Sequence, residues 1–176
     1  MKKLSLSLAL AAGLGVTGAA QAALVDSIGT IVAKNDGGSV DSYSFNLAAS
    51  VPVTITVVGK DNYQGGCPTC TLADPQFNLF KTSVSLANLL HTSDDIGGSP
   101  TFYFDDKYSA TLDSGTYFVS VGAWELTPQE SLDAQNGAQA FGSYRVTVEA
   151  VPIPAPFVLL GSALLALGAT RRRSAA

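Results

Sequence analysis

Apolar side chains alternate with small polar ones along most of the chain. Tyr43, Phe45 and Leu47 alternate with Ser44 and Asn46, and Val53, Ile55 and Val57 with Thr54 and Thr56. Phe77 and Leu79 flank Asn78, and Phe102 and Phe104 flank Tyr103. Tyr117, Val119 and Val121 are spaced by Phe118 and Ser120, and Tyr144, Val146 and Val148 by Arg145 and Thr147. A period of two places each set on one face of an extended strand. The β-branched and aromatic residues in these sets suit a half-buried pleated surface. Turn-formers separate the runs: Asn35-Asp36-Gly37-Gly38, residues 59–66, residues 93–100, and Asp113-Ser114-Gly115. Helix finds little room, because residues 112–123 have the wrong period and residues 130–140 could form one weak turn or loop. Several short strands at this spacing predict an all-β, jelly-roll-like antiparallel β-sandwich. No internal repeat is evident.

The two ends follow a different pattern. Lys2 and Lys3 precede a mostly apolar run, and Ala20, Gln21 and Ala22 form a small-x-small cleavage site. This is the layout of a secretory signal peptide, residues 1–22, which places the rest of the chain in an oxidising compartment. At the other end, residues 151–170 carry no charge, and Arg171, Arg172 and Arg173 follow. That length and flank suggest a C-terminal hydrophobic helix entering a membrane with its arginines on the cytoplasmic side. Pro152, Pro154 and Pro156 leave only residues 157–170 as uninterrupted helix former.

Separating these ends from the middle changes the meaning of the composition. The whole chain is 47% hydrophobic and 14% charged, with a formal net charge of -4. Residues 23–150 hold all fourteen acids against Lys34, Lys60, Lys81, Lys107 and Arg145, a net charge of -9. The central domain is therefore acidic, which argues against nucleic acid or an anionic membrane surface as its partner.

The run Val151, Pro152, Ile153, Pro154, Ala155, then an apolar stretch with Gly161, Leu165 and Gly168, then the three arginines, resembles the PEP-CTERM sorting signal. It is closest to the variant that begins V-P-L-P-A, with Ile153 at the Leu position and Pro156 as a departure. The resemblance implies an exosortase-like membrane processing enzyme as partner and a cut near the proline box. It also implies contact with the membrane through the C-terminal segment, at least transiently. The protein would be anchored in the inner membrane before processing, then placed at the cell surface or outside the cell, in exopolysaccharide or biofilm matrix.

The middle of the chain carries a second set of cues. Asp41-Ser42-Tyr43-Ser44-Phe45 is followed by Phe77-Asn78-Leu79-Phe80, by Asp94-Asp95, by Gly115-Thr116-Tyr117 within its strand, and by Gly142-Ser143-Tyr144-Arg145-Val146. In this order they resemble the pre-peptidase C-terminal type of jelly-roll module. Gly97-Gly98-Ser99-Pro100 departs from the usual polar loop. The resemblance implies a non-catalytic domain that binds carbohydrate or protein, or aids secretion.

Few residues carry chemistry. Cys67 and Cys70, with two residues between them, lie in a Gly-rich loop, a spacing open to a disulfide, a redox pair or half a zinc site. The loop setting and the single His, His91, favour a short-ring disulfide that stiffens the loop. Asp94, Asp95, Asp105 and Asp106 are hard oxygen ligands that could meet at one pole and hold Ca²⁺, without the EF-hand spacing; no other cofactor is expected. Trp124 can cap the open edge of the core, the favoured role, or stack on the apolar face of a sugar. Tyr63 is a second candidate for sugar stacking. No nucleophile elbow, P-loop or H-E-x-x-H run appears, so no catalytic residue is assigned. The resulting expectation is an exported cell-surface or extracellular-matrix protein, structural or adhesive rather than enzymatic, with polysaccharide or envelope proteins as partners. A carbohydrate- or Ca²⁺-binding module is the first alternative, and a small secreted hydrolase the weaker one.

Overall fold

Residues 22–60, 67–93 and 105–151 are described by the structure, a computed structural model. Among them the chain forms eleven strands and one α-helix. In order these are β1 (Ala22–Ile31), β2 (Ala33–Lys34), β3 (Gly37–Ser39), β4 (Asp41–Leu47), β5 (Val51–Val58), β6 (Pro75–Lys81), β7 (Leu89–Ser93), β8 (Asp106–Leu112), β9 (Gly115–Ala123), α1 (Pro128–Asp133), β10 (Gln135–Asn136) and β11 (Gly142–Ala150).

Two four-stranded antiparallel sheets face each other. Their orders are β1-β11-β5-β8 and β4-β9-β6-β7, and a small sheet β10-β3-β2 lies beside them. Apart from the β6–β7 hairpin, successive long strands switch sheets, which is jelly-roll connectivity. The expected sandwich is present. Its core is the alternating set read from the sequence: Phe45, Leu47, Val53, Ile55, Val57, Phe77, Leu79, Tyr117, Val119, Val121, Tyr144, Val146 and Val148 are all buried. Burying one such side chain contributes roughly 1.5–3 kcal/mol, which is what sets strand register here.

Both lateral edges of the sandwich are closed by aromatic groups. At the β1/β4 edge, the Tyr144 hydroxyl donates to Asp41 Oδ2 at 2.7 Å and lies 2.9 Å from the Tyr43 hydroxyl. The inward face of β1 makes room for these rings with Ser27 and Gly29, since a Cβ at Gly29 would overlap both tyrosines. At the β7/β8 edge, His91 stacks on Tyr108.

The strand pairings also sort the connections. Residues Ile31, Val58, Ser93 and Ala123 end their strands at one pole, and Asp41, Pro75, Asp106 and Gly142 begin there. All four long connections therefore leave and re-enter the sheets at that pole. The other pole carries the turns 48–50, 82–88 and 113–114, and both Ala22 and Val151. Val151 is held there by its amide, which donates to Pro52 O at 3.0 Å.

One part of the expected architecture is corrected. Among the described residues no helix is long and apolar enough to cross a membrane. The flanking C-terminal sorting or transmembrane helix expected from the sequence is therefore not borne out among the described residues. The exosortase-like partner, the transient membrane contact and the inner-membrane-anchored stage rest on that helix and find no support among the described residues. The physical argument is one of sequence: Pro152, Pro154 and Pro156 leave a run of uninterrupted helix formers shorter than the roughly 20 residues that a hydrocarbon core requires. The proline box beyond Val151, the arginines and the signal peptide up to residue 21 lie outside the described residues.

Candidate functional site: a groove at the loop-bearing pole

The connection from β9 to β11 builds most of this site, and its sequence predicts no more than a weak turn or loop. Leaving β9, the chain turns at Trp124 and Glu125, with Glu125 in the left-handed region at φ 59°. Leu126 then folds back and is buried, packing over Gly122, where a Cβ would come within 2.8 Å of its methyl group. The Leu126 amide donates to Gln76 Oε1 at 3.0 Å.

Helix α1 begins with a capping box. Glu130 N donates to Thr127 Oγ1 and Thr127 N donates to Glu130 Oε2 at 2.7 Å, with Pro128 in the first turn. The box satisfies amides that a helix start leaves open. The other Glu130 oxygen accepts from Gly137 N at 2.6 Å. Partial burial works to raise the Glu130 carboxyl, but the Thr127 and Gly137 amides and the Thr127 hydroxyl together outweigh it and hold its pKa below the usual range.

Buried polar side chains pin this segment to the outer face of the second sheet. Asn78 Nδ2 donates to Ser131 Oγ at 2.9 Å and to Leu126 O at 3.4 Å. Asn136 Nδ2 donates to Ala123 O at 3.0 Å, while its Oδ1 accepts from Ala138 N at 2.6 Å. Asn78 and Ser120 therefore face outward yet are fully buried.

Between this segment, the start of β6 and the end of β7 lies an open groove of about 470 Å³. The segment from Trp124 to Pro128 lines it, together with Asp74, Gln76 and Thr92. Trp124 is 44% exposed, so covering the sheet falls to Leu126, at 3%, rather than to the tryptophan. Among the described residues no Lys or Arg side chain lines the groove. Chemically it offers a flat apolar ring beside carboxylate and amide groups, a surface for a ligand with one apolar face and a rim of hydroxyl or amine donors.

The other candidate residues fall elsewhere. Cys67 and Cys70 form the disulfide, buried against Val58. The loop is then tied to the start of β11: the amides of Thr71 and Leu72 both donate to Ser143 O at 3.0 Å, and Ser143 N donates to Thr71 Oγ1. Asp105 and Asp106 are buried. Asp105 Oδ1 accepts from Gly59 N at 2.8 Å, and Asp106 Oδ2 accepts from Phe77 N at 3.1 Å, so Asp106 ties β8 to the opposite sheet. Asp94, Asp95 and Tyr63 lie outside the described residues. Among the described residues no group of three or more His, Cys, Asp or Glu side chains is placed to hold a metal ion. Of the groove, sequence reasoning finds Trp124 and misses Asp74, Thr92 and Glu125. The only signal for Glu125 is its position next to the tryptophan.

No protein-family model matches the chain, and no curated protein matches it. Among solved structures, the pre-peptidase C-terminal domain of a collagenase from Bacillus anthracis is distantly similar. The likeness covers 70% of this chain and 87% of that one, at 14% identity and a TM-score of 0.43.

Proposed function

We propose that this chain is an exported, non-catalytic adhesive module that holds polysaccharide in the Trp124 groove. The observation that carries the reading is the exposed Trp124 ring in a groove beside Asp74 and Glu125. An exposed indole matches the apolar face of a pyranose, and neighbouring carboxylates accept hydrogen bonds from its hydroxyls. The setting supports the same reading. A rigid sandwich gathers its long connections at one pole and both ends of the described domain at the other, so the groove faces away from them.

Export is supported by the Cys67–Cys70 disulfide, which persists in oxidising compartments. Removal of residues 1–22 would cost the domain only the first residue of β1, whose pairing with β11 runs on from Ala23. The mature domain on this reading is residues 23–150.

The test is affinity electrophoresis of the exported chain through gels containing soluble glucans, mannans or glucosamine polymers. Retardation by at least one polymer, abolished by Trp124→Ala, is the expected result. Unaltered mobility in every polymer removes polysaccharide as the partner.

A further inference from the structure

The charge of the groove narrows its ligand within the polysaccharide class, and this inference rests on the polysaccharide reading. We infer that the Trp124 groove selects sugars bearing a free amine, as in glucosamine polymers, over N-acetylated or uronic-acid polymers. Among the described residues, two carboxylates, Asp74 and Glu125, line the groove and no Lys or Arg does. The domain around it carries five basic and fourteen acidic residues across positions 23–150, a net charge of -9. Its field therefore attracts cations toward the groove and repels uronates and sulfated chains.

The indole adds a second preference of the same sign. The face of a tryptophan carries negative electrostatic potential and attracts an ammonium group placed over it. An amine-bearing pyranose meets all three features at once. Its apolar ring face stacks on Trp124, its hydroxyls donate to oxygen acceptors, and its ammonium is drawn to Glu125 and Asp74. An N-acetylated sugar keeps the first two and loses the third. A uronate sets a carboxylate against carboxylates, an unfavourable juxtaposition that excludes it.

The turn that carries these groups is held in place on the protein side. Glu125 occupies the left-handed backbone region, a conformation that costs a non-glycine residue energy and persists only when its surroundings enforce it. Here the enforcement is visible: Leu126 is buried over Gly122 and bonded to Gln76, and Asn136 holds Ala123. Trp124 and Glu125 thus sit on a turn fixed on both sides, which reduces the ordering cost of binding.

Calorimetry of the full exported chain against chitosan oligomers, the same oligomers fully N-acetylated, and an oligolysine peptide tests this. The titrations are run at about pH 5.5, where the probe amines are protonated. The expected result is affinity for chitosan at least about tenfold above that for the acetylated oligomer, weakening with salt. Glu125→Gln should lower chitosan affinity by about three- to fivefold and leave the acetylated oligomer unchanged. Trp124→Ala should weaken both oligomers about tenfold or more, with Trp124→Phe restoring part of the loss. Equal, Trp124-dependent affinity for both oligomers overturns the amine preference and leaves the polysaccharide reading standing. Oligolysine binding as tightly as chitosan, indifferent to Trp124→Ala, overturns it by showing attraction to bulk charge. No binding of either oligomer overturns the amine preference, and the polysaccharide reading then stands or falls on the electrophoresis with the other polymers.

Discussion

His91 on β7 stacks on Tyr108 on β8, with ring centroids 4.0 Å apart and planes 22° from parallel. The two strands belong to different sheets, so this pair closes one side of the sandwich. Phe77 lies behind it, 6.2 Å from the imidazole. Burial lowers the His91 pKa from its ordinary 6.5, because the charged ring would lose solvation among aromatic neighbours.

A histidine whose pKa is lower folded than unfolded contributes stability that is present above the unfolded pKa. That stability is lost as pH falls through the folded pKa, because the unfolded state binds the proton more readily. Urea unfolding should therefore show stability declining between about pH 7 and pH 5, before the carboxylates titrate. His91→Phe keeps an aromatic partner for Tyr108 and should flatten that decline. An unchanged slope in this variant would place the pH dependence elsewhere.

The opposite edge depends on hydroxyl chemistry. Tyr144 is buried and bonded to Tyr43 and Asp41, and burial first, then these neighbours, raise its pKa far above the ordinary range. It stays a neutral donor at all accessible pH. Tyr144→Phe should cost about 1–3 kcal/mol, since a carboxylate loses its donor. Gly29→Ala should cost about 1–3 kcal/mol by overpacking the same spot. Chemical denaturation measures both.

The buried polar groups under α1 are not equivalent. Asn136 satisfies two backbone groups, and Asn136→Ala should cost about 2–3 kcal/mol and loosen the segment that carries the groove. The Ser120 hydroxyl is buried with no hydrogen-bond partner among the described residues. Ser120→Ala should therefore change stability by less than about 0.5 kcal/mol or raise it. Melting curves of the two variants distinguish these roles.

Removing the disulfide should act locally. Its ring is short, so Cys67→Ser with Cys70→Ser should cost only about 2 kcal/mol by loop-closure entropy. Hydrogen exchange should rise most at the amides of Thr71 and Leu72, which anchor the loop on Ser143.

The alternation in β4, β5, β9 and β11 makes these strands legible in the sequence, because their inward residues are large and apolar. β1 is not legible, for a physical reason. Its inward face holds Ser27 and Gly29, leaving space for Tyr43 and Tyr144, while Ile28 points outward at 61% exposed. Val25 and Ile31 also face inward, so the apolar alternation is interrupted in mid-strand. β8 escapes detection because its inward positions begin with Asp106 and include Ala110, suited to an edge held by hydrogen bonds and by His91. Helix α1 escapes it because six residues are too few to show a period. Its sequence signature is the capping box of Thr127 and Glu130 with Pro128 between them. Trp124 stands out by residue type, but its exposure depends on Leu126 taking the covering position, a choice made only by tertiary packing.

Trp124 is the chain's single tryptophan, so its fluorescence reports on the proposed site without interference. Titrating the exported chain with the polymer that retards it in electrophoresis should move the emission to shorter wavelength and saturate, as a sugar face displaces water from the exposed indole. The binding constant from that signal should match the one from calorimetry. Binding detected by calorimetry with no change in tryptophan emission would contradict the assignment of the groove.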